Sequence, residues 1–269
     1  MICQNEGCNT QPSWLRTRLL QQPGYYLESG WYCGDTCLRK GIVERLGDRK
    51  QPREKAFHSM LRLKLGHVLI ESGALTHEQL QKAMAEQQKK PSERLGFHLV
   101  AMGFVKERDI TLALSRQFGL PVVNLKNQMM NENVLRMVPL EIVRESKFFP
   151  LEYDSANNTL VLVTHDPADV SNMINLRSIL NCDVTIYLSD YSTVCGMIEE
   201  FCNLAAGEKQ SEEVAVDEVA EDLPGLAEFI VKRARVLNAN SLNVKYFNRL
   251  IWTRFVVNRK PYDVIVNAA

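Results

Sequence analysis

The sequence lacks several features that define common classes of protein. It contains no run of about 18 apolar residues, so no transmembrane helix is expected. Its first residues have neither the basic nor the apolar stretch of a signal peptide, and we therefore expect a cytoplasmic protein. It carries no net charge, with 32 basic and 32 acidic residues, which argues against a strongly basic nucleic-acid binder.

Catalytic signatures are scarce as well. No G-x4-G-K-[S/T] loop is present, and without that cradle for a triphosphate the chain is not expected to hydrolyse ATP. The sequence has five histidines, and no Ser-His-Asp or Cys-His constellation stands out. We therefore expect a protein that is not an enzyme.

The length and composition indicate a multidomain globular protein. The chain has 269 residues, of which 45% are hydrophobic and 24% charged. A charged hinge at 47–57 and an acidic linker at 205–223 separate three parts, 1–46, 58–204 and 224–269. The predicted fold class is α+β. It comprises a small four-cysteine zinc module, a helical-repeat subdomain joined to a small α/β subdomain, and a short α+β tail.

Four of the seven cysteines fall near the N-terminus, in the pattern C-x4-C, 24 residues, C-x3-C. Two close pairs can supply four thiolates to a tetrahedral structural zinc ion, although four unrelated reduced cysteines are the alternative. The segment between the pairs predicts two short aromatic strands around a turn at 28–30, and Asp35 is expected to be the N-cap of a helix with Cys37 in its first turn. About 45 residues would struggle to fold without a metal. The predicted zinc ligands are Cys3, Cys8, Cys33 and Cys37.

One pattern occurs twice without a gap, at residues 64–87 and 94–117. Each copy begins with a cation, ends with glutamine, and predicts a helix, a glycine-ended turn and a second helix. The first helix of copy one is predicted over 59–72, and the two copies should pack as a small bundle. The residues shared by both copies are Leu65/Leu95, Gly66/Gly96, Leu69/Leu99, Gly73/Gly103, Ala83/Ala113 and Gln87/Gln117.

Core packing explains the shared apolar positions but not every shared residue. Gly66 and Gly96 lie early in a helix, where each costs about 1 kcal/mol relative to alanine. A glycine there lets another group approach the backbone closely. Together with the cation and the glutamine, it suggests a site for an anion that carries a hydrogen-bonding ring system.

The two copies resemble the tandem motif RLGxxLVxxGxIxxxxLxxxLxxQ of the MshEN domain, the N-terminal domain of type II secretion and type IV pilus assembly ATPases. The resemblance covers 58–204 and includes a DPxD sequence at 166–169. It implies a site for cyclic di-GMP, a two-fold symmetric dinucleotide, and a protein partner in a secretion or pilus system. Copy one departs from the motif, because it opens with Lys64 where the family has arginine.

The resemblance also implies which residues contact the ligand, at equivalent positions in the two copies. Asp166 joins them from the second half of the domain, with a helix N-cap as its alternative role. The implied ligand residues are Lys64, Leu65, Gly66, Leu69, Leu80, Met84, Gln87, Arg94, Leu95, Gly96, Leu99, Ile110, Leu114, Gln117 and Asp166.

The remaining chain alternates strand and helix signals. After a short strand at 119–125, a hairpin is predicted over 148–153 and 159–164. A strand at 183–188 and a helix at 191–202 complete the second half of the domain. The C-terminal part predicts one amphipathic helix and two or three strands, weakly similar to the small domain that follows MshEN in the ATPases.

We therefore predict a non-enzymatic, cyclic di-GMP-binding regulatory protein with a zinc module. Two alternatives remain open. One is a structural adaptor that binds secretion or pilus machinery without nucleotide, and the other is a zinc-dependent nucleic-acid-binding protein. The neutral charge argues against the second, so a nucleic-acid partner is not expected.

Overall fold

A computed structural model shows a mixed α+β architecture, which confirms the predicted fold class. None of the described helices has the length and apolar character needed to cross a membrane. The structure describes residues 2–12, 24–47, 64–125, 131–135, 137–167, 170–205, 212–214 and 222–267.

The N-terminal cysteine segment forms a hairpin followed by a helix. Strands β1 (Tyr25–Leu27) and β2 (Gly30–Tyr32) pair antiparallel around a turn in which Glu28 has a φ of 55°. Helix α1 (Asp35–Gly47) follows, and Cys37 lies in its first turn. The two aromatic strands, the turn and the position of Cys37 are as the sequence predicts, but Asp35 is the first residue of the helix rather than its N-cap.

Each repeat copy forms two helices. Copy one contains α2 (Leu65–Glu71) and α3 (His77–Lys89), and copy two contains α4 (Leu95–Ala101) and α5 (Glu107–Phe118). The helix–turn–helix prediction is therefore confirmed for both copies. Residues 59–63, where the first helix was predicted to begin, lie outside the described residues.

The second helix of each copy begins with a different cap. In copy one, the Gln79 N–H donates to Thr76 Oγ1 (3.2 Å) and the Thr76 N–H donates to Gln79 Oε1 (3.0 Å). This is the predicted capping box. In copy two, the Lys106 N–H donates to the Asp109 carboxylate (2.9 Å). The ammonium group of lysine cannot accept a hydrogen bond, so only half of the box forms.

The helices of the two copies pack reciprocally. Helix α2 packs against α5, and α3 packs against α4, so the first helix of each copy meets the second helix of the other. Exchanging the two copies converts one helix pair into the other, and the bundle therefore has approximate two-fold symmetry. Equivalent residues of both copies form its core, including Leu69/Leu99, Leu75/Val105 and Ala83/Ala113.

A three-stranded sheet follows the bundle, in the order β3-β4-β5. The predicted hairpin of β3 (Phe148–Asp154) and β4 (Thr159–Thr164) is confirmed, and β5 (Asp183–Leu188) pairs parallel to β4. The strand predicted at 119–125 is reduced to an isolated parallel bridge between Val122 and β5.

Four helices flank this sheet: α6 (Glu132–Leu135), α7 (Leu140–Ser146), α8 (Val170–Leu180) and α9 (Tyr191–Ala205). Helices α6, α7 and α9 pack against β3, and α8 packs against β5. The final helix is predicted correctly from residue 191 and extends three residues beyond residue 202. Together these elements bury a core that includes Phe148 of β3.

A six-stranded sheet joins the two ends of the chain, in the order β2-β1-β7-β8-β9-β6. Its C-terminal strands are β6 (Glu212–Val214), β7 (Ser241–Phe247), β8 (Leu250–Val257) and β9 (Lys260–Asn267). Helix α10 (Leu223–Val236) precedes β7 and packs against α1. The segments that the sequence divides into an N-terminal module and a C-terminal tail therefore meet in one sheet.

This sheet buries side chains on both faces. Ile251 and Phe255 pack with α1 and α10, whereas Leu250 and Trp252 pack with the core of the three-stranded unit. Successive side chains of a strand point to opposite faces of the sheet, so the side chains of β8 lie alternately in the two cores. The six-stranded sheet is thus the layer that connects the cysteine hairpin with the rest of the chain.

The turn glycines give a stability prediction. Gly73 and Gly103 have φ values of 73° and 71°, in the left-handed region where a side chain is strained. Gly73→Ala should therefore lower the free energy of unfolding by about 1–2 kcal/mol in urea denaturation. Gly196, inside α9, is the matched control, because an added Cβ there meets nothing within 4 Å. Gly196→Ala should raise stability by up to about 1 kcal/mol; equal effects of the two substitutions would contradict the left-handed turn.

Candidate functional site

The cations that open the two repeat copies stand at the start of α2 and α4 and are exposed. Arg94 Nη1 lies 2.7 Å from each carboxylate oxygen of Asp166, across the seam between the bundle and the three-stranded unit. Lys64, the equivalent cation, forms no ion pair with any described residue. The two repeat copies therefore differ, because Arg94 is paired with a carboxylate and Lys64 has no ion pair within the described residues.

Asp166 lies in the loop between β4 and α8. Residues 168 and 169, directly before α8, lie outside the described residues, so the alternative role of Asp166 as a helix N-cap stays a prediction. Its carboxylate faces the bundle, and its own N–H donates to Thr164 Oγ1 (3.1 Å) at the end of β4. The loop after β4 thus positions a carboxylate against the opening residue of copy two.

The early glycines of the two copies are in contact with side chains of their own copy. A Cβ added at Gly66 would lie 2.8 Å from both Cδ atoms of Leu80, and one added at Gly96 would lie 3.3 Å from Ile110 Cγ2. These are equivalent positions in the two copies. In this conformation the close approach that the sequence attributes to a ligand is made by the second helix of each copy.

The apolar residues implied as ligand contacts divide into two groups. Leu69 and Leu99 are fully buried in the bundle core and present no surface to a ligand in this conformation. Met84 is 48% exposed, and it is a bulky apolar side chain at the surface of α3. The half-buried members of the set are Leu65, Leu80, Leu95, Ile110 and Leu114.

The glutamines that end the two copies have different surroundings. Gln87 Nε2 donates to the Glu93 carbonyl (3.2 Å), which fixes the connection between the copies. The Gln117 side-chain oxygen is shielded from solvent and has no hydrogen-bond partner among the described residues. A buried acceptor without a partner lowers the stability of the fold by about 1–3 kcal/mol. Gln117 is therefore better placed than Gln87 to accept a hydrogen bond from a ligand.

Two contacts at the same seam have no counterpart in the sequence reasoning. The Glu107 carboxylate, at the start of α5, accepts from the Ser192 N–H (3.0 Å) and hydroxyl (2.7 Å) at the start of α9. Thr111 donates to Asp190 (2.6 Å). The partners lie about 80 positions apart, and no local signal predicts them.

The four N-terminal cysteines converge, as their spacing predicts. Their Sγ atoms all lie within 4.8 Å of one another, and Cys33 Sγ lies 3.6 Å from both Cys8 Sγ and Cys37 Sγ. Four sulfurs at about 2.3 Å from a tetrahedral zinc ion lie about 3.8 Å apart, whereas disulfide sulfurs lie about 2.0 Å apart. The cluster therefore has the dimensions of a metal site.

The thiols of this cluster differ in acidity. Hydrogen bonding to Thr10, whose Oγ1 lies 3.3 Å from the sulfur, lowers the pKa of Cys8 to about 6. Burial raises the pKa of Cys33, and burial raises the pKa of Cys37 to about 12. The Cys8 thiol therefore loses its proton more readily than the Cys37 thiol. A metal would displace protons on binding, and its affinity would fall as the pH falls.

Comparison with protein families identifies the part of the chain that follows the repeats. Residues 118–208 match the model of the MshEN domain. The matched segment begins directly after Gln117 and contains the three-stranded unit. This segment is therefore similar to the MshEN domain, which confirms the resemblance to that family, and the two repeat copies lie outside the matched residues.

Similar proteins are type IV pilus assembly ATPases. PilB of Myxococcus xanthus is 27% identical over 221 residues, which cover 75% of this chain and 38% of that protein. PilB of Thermus thermophilus is 28% identical over 124 residues, which cover 46% of this chain and 14% of that protein. The chain thus spans well under half of the length of these relatives.

Solved structures give similar matches. A structure described as MshE with cdg has a TM-score of 0.46 at 23% identity, covering 52% of this chain and 99% of that chain. The N-terminal domain of XpsE has a TM-score of 0.41 at 20% identity, covering 50% of this chain and 91% of that chain.

The Arg94–Asp166 pair should contribute little to stability. The two side chains are 63% and 22% exposed, and exposed ion pairs are worth at most about 1 kcal/mol. Arg94→Ala should therefore lower the free energy of unfolding by less than about 1 kcal/mol, as measured by urea denaturation. Arg177→Ala, which breaks an exposed pair with Asp183, is the control and should have a similar effect. A loss of several kcal/mol for Arg94→Ala alone would show a structural role.

Proposed function

We propose that this chain is a regulatory protein that binds cyclic di-GMP across its two repeat copies. The observation that carries the proposal is the reciprocal packing of α2 with α5 and of α3 with α4. This packing relates the two copies by approximate two-fold symmetry, and a two-fold symmetric dinucleotide presents the same groups to both. The family motif in both copies supports the choice of this ligand.

The opening cations supply the charge that a doubly anionic ligand requires. The Arg94 guanidinium can make a planar, two-pronged contact with a guanine edge or a phosphate. Lys64 supplies the charge without that geometry. Arg94 is paired with Asp166, so a ligand that engages Arg94 competes with this carboxylate or binds beside it. Arg94 in copy two therefore contributes to the specificity of ligand binding, and Lys64 in copy one contributes mainly electrostatic attraction.

The surfaces around the cations suit the bases of such a ligand. Met84 on α3 is exposed, and Leu114, its equivalent on α5, is half-buried. Apolar side chains at equivalent positions of the two copies can pack against the two bases. Leu69 and Leu99 support this surface from within the core.

We place the protein partner in a type IV pilus or type II secretion assembly. The MshEN segment and the similarity to PilB over 75% of the chain support this assignment. The sequence holds no G-x4-G-K-[S/T] loop, which supports a regulatory rather than a catalytic role. Ligand binding would act by changing how the chain meets that partner.

Isothermal titration calorimetry with cyclic di-GMP tests the ligand. Charge-assisted hydrogen bonds are worth about 1.5–3 kcal/mol, so Arg94→Ala should weaken binding by about 10- to 100-fold. Lys64→Arg should strengthen binding, because it restores the two-pronged contact in copy one. Arg177→Ala is the matched control, since it removes an exposed, ion-paired arginine on α8.

Two results would contradict the proposal. One is the absence of any heat change with wild-type protein at about 50 µM, a concentration that detects Kd values near that range. The other is wild-type affinity in Arg94→Ala. A partner complex that forms equally well without nucleotide would instead favour the adaptor alternative.

We further propose that the four cysteines hold a structural zinc ion. Their mutual sulfur distances, with two at 3.6 Å, support a tetrahedral site. Four thiolates fill the coordination sphere of zinc and leave no open position for a reacting water. The site is therefore structural in character, and its ligands Cys3 and Cys8 come from the loop that precedes the hairpin.

Metal analysis of the purified protein tests the zinc site. We expect about one zinc ion per chain by inductively coupled plasma mass spectrometry, and loss of that zinc in the double variant Cys33→Ser/Cys37→Ser. Cys195→Ser is the control, because Cys195 is a half-buried thiol outside the cluster and its loss should leave the zinc in place. Zinc retained by the double variant would reject the assignment.

A further inference from the structure

The N-terminal hairpin covers the edge of β7 through a short parallel pairing. The Tyr26 N–H donates to the Asn240 carbonyl (2.7 Å), and the Glu28 N–H donates to the Leu242 carbonyl (3.0 Å). Strand β1 has three residues and is paired on its other side with β2, which also has three. A hairpin of this size is not stable alone in water, so other contacts must keep it in place.

Charged side chains hold the hairpin against the C-terminal elements. The Glu28 carboxylate lies 2.6 Å from Lys245 Nζ on β7 and also pairs with Arg45 on α1. Glu28 and Lys245 are 15% and 14% exposed, so little water screens the pair. Arg39 of α1 pairs with Glu228 of α10 (2.8 Å). The hairpin, α1 and the C-terminal unit are thereby joined by ion pairs as well as by a common core.

The four cysteines come from the three pieces that must stay together for this pairing. Cys3 and Cys8 lie in the N-terminal loop, Cys33 directly follows β2, and Cys37 lies in the first turn of α1. Cys3 is buried in the core shared with α10, and the other three pack against that core. A metal ion bound by all four sulfurs would fix the loop, the hairpin and the helix as one rigid unit.

We propose that metal occupancy of the cysteine cluster controls whether the N-terminal hairpin closes the edge of β7. This inference rests on the proposed zinc site and adds a regulatory role to it. With metal bound, the hairpin stays paired and the two ends of the chain form one sheet. Without it, the hairpin separates and β7 becomes an edge strand with unpaired N–H and C=O groups.

The effect is confined to one end of the molecule. The repeat bundle and the three-stranded unit have cores of their own, and the four cysteines of the cluster contribute to neither. Strands β8 and β9 pair with each other and pack on the three-stranded unit, so they remain folded. Metal loss should therefore change the exchange of the hairpin amides while leaving the amides of β8 and β9 protected.

Hydrogen exchange with mass spectrometry tests this separation on the wild-type protein. After zinc is stripped with a chelator, peptides that cover 24–32 should exchange at least about ten-fold faster, since local opening sets the exchange rate. Peptides from 250–257 and 260–267 should be unchanged, and added zinc should restore the slow exchange of the hairpin. The same samples are assayed for zinc, so metal content and hairpin opening are read together.

A second variant tests the same coupling without altering a sulfur ligand. If metal binding stabilises hairpin docking, then weakening the docking must weaken metal binding by the same factor. Glu28→Gln removes the charge between Lys245 and Arg45 and should lower zinc affinity by about ten-fold in a competition assay. Glu44→Gln is the matched control, because Glu44 is an exposed carboxylate on α1 and its loss should leave affinity unchanged.

The outcomes separate the two proposals. Zinc that binds, with fast hairpin exchange after its removal and weaker binding in Glu28→Gln, supports the metal-controlled closure. Zinc that binds while the stripped protein keeps its slow hairpin exchange overturns the closure but leaves the zinc site intact. A protein that binds no zinc overturns both.

Discussion

The arrangement of the molecule depends on a simple constraint, namely that neither repeat copy can bury its apolar face alone. Helices α2 and α4 have seven residues each, and helices shorter than about 12 residues are marginal in water. Each must pack against a longer helix, and each packs most extensively against the longer helix of the opposite copy. The duplication in the sequence thereby becomes two-fold symmetry in the bundle, and the cations at the starts of α2 and α4 become equivalent positions.

Local features of this fold follow from the sequence, because they depend on residues a few positions apart. The left-handed turn at Gly73, the capping box at Thr76 and the hairpin around Glu28 are of this kind. The pairing of β1 with β7 is different, since its partners lie more than 200 positions apart and only two residue pairs join the strands. No periodicity or turn signal specifies such a partner, and the joining of the chain ends is visible only in three dimensions.

In the candidate site, too, some features follow from the sequence and others do not. The cysteine cluster follows from spacing, because two close pairs of thiols have few structural explanations other than a metal. The glycines are harder to interpret, since a glycine in a helix indicates only that some group comes close. At Gly66 that group is the Leu80 side chain, whereas the sequence suggested a ligand. A glycine early in a helix can therefore reflect either a packed side chain or a bound ligand, and only the packing of α3 distinguishes the two explanations.

The contacts at the seam limit how a ligand can act on the rest of the chain. Arg94 and Asp166 form an exposed pair, so releasing it changes the energy by no more than about 1 kcal/mol. The contacts of Glu107 with Ser192 and of Thr111 with Asp190 cross the same seam and do not involve Arg94.

A ligand that only displaced Asp166 would therefore leave the bundle docked on the three-stranded unit. To change the conformation of the chain, the ligand must bind two arrangements of the repeats with different affinities. Leu80 and Ile110 are the side chains best placed to change between such arrangements, because each lies against the glycine of its own copy. A ligand that takes either space must move α3 or α5. Helix α5 carries Glu107, so its movement reaches α9 directly. The ion pair and hydrogen bonds at the seam thus couple the symmetric bundle to the three-stranded unit through copy two.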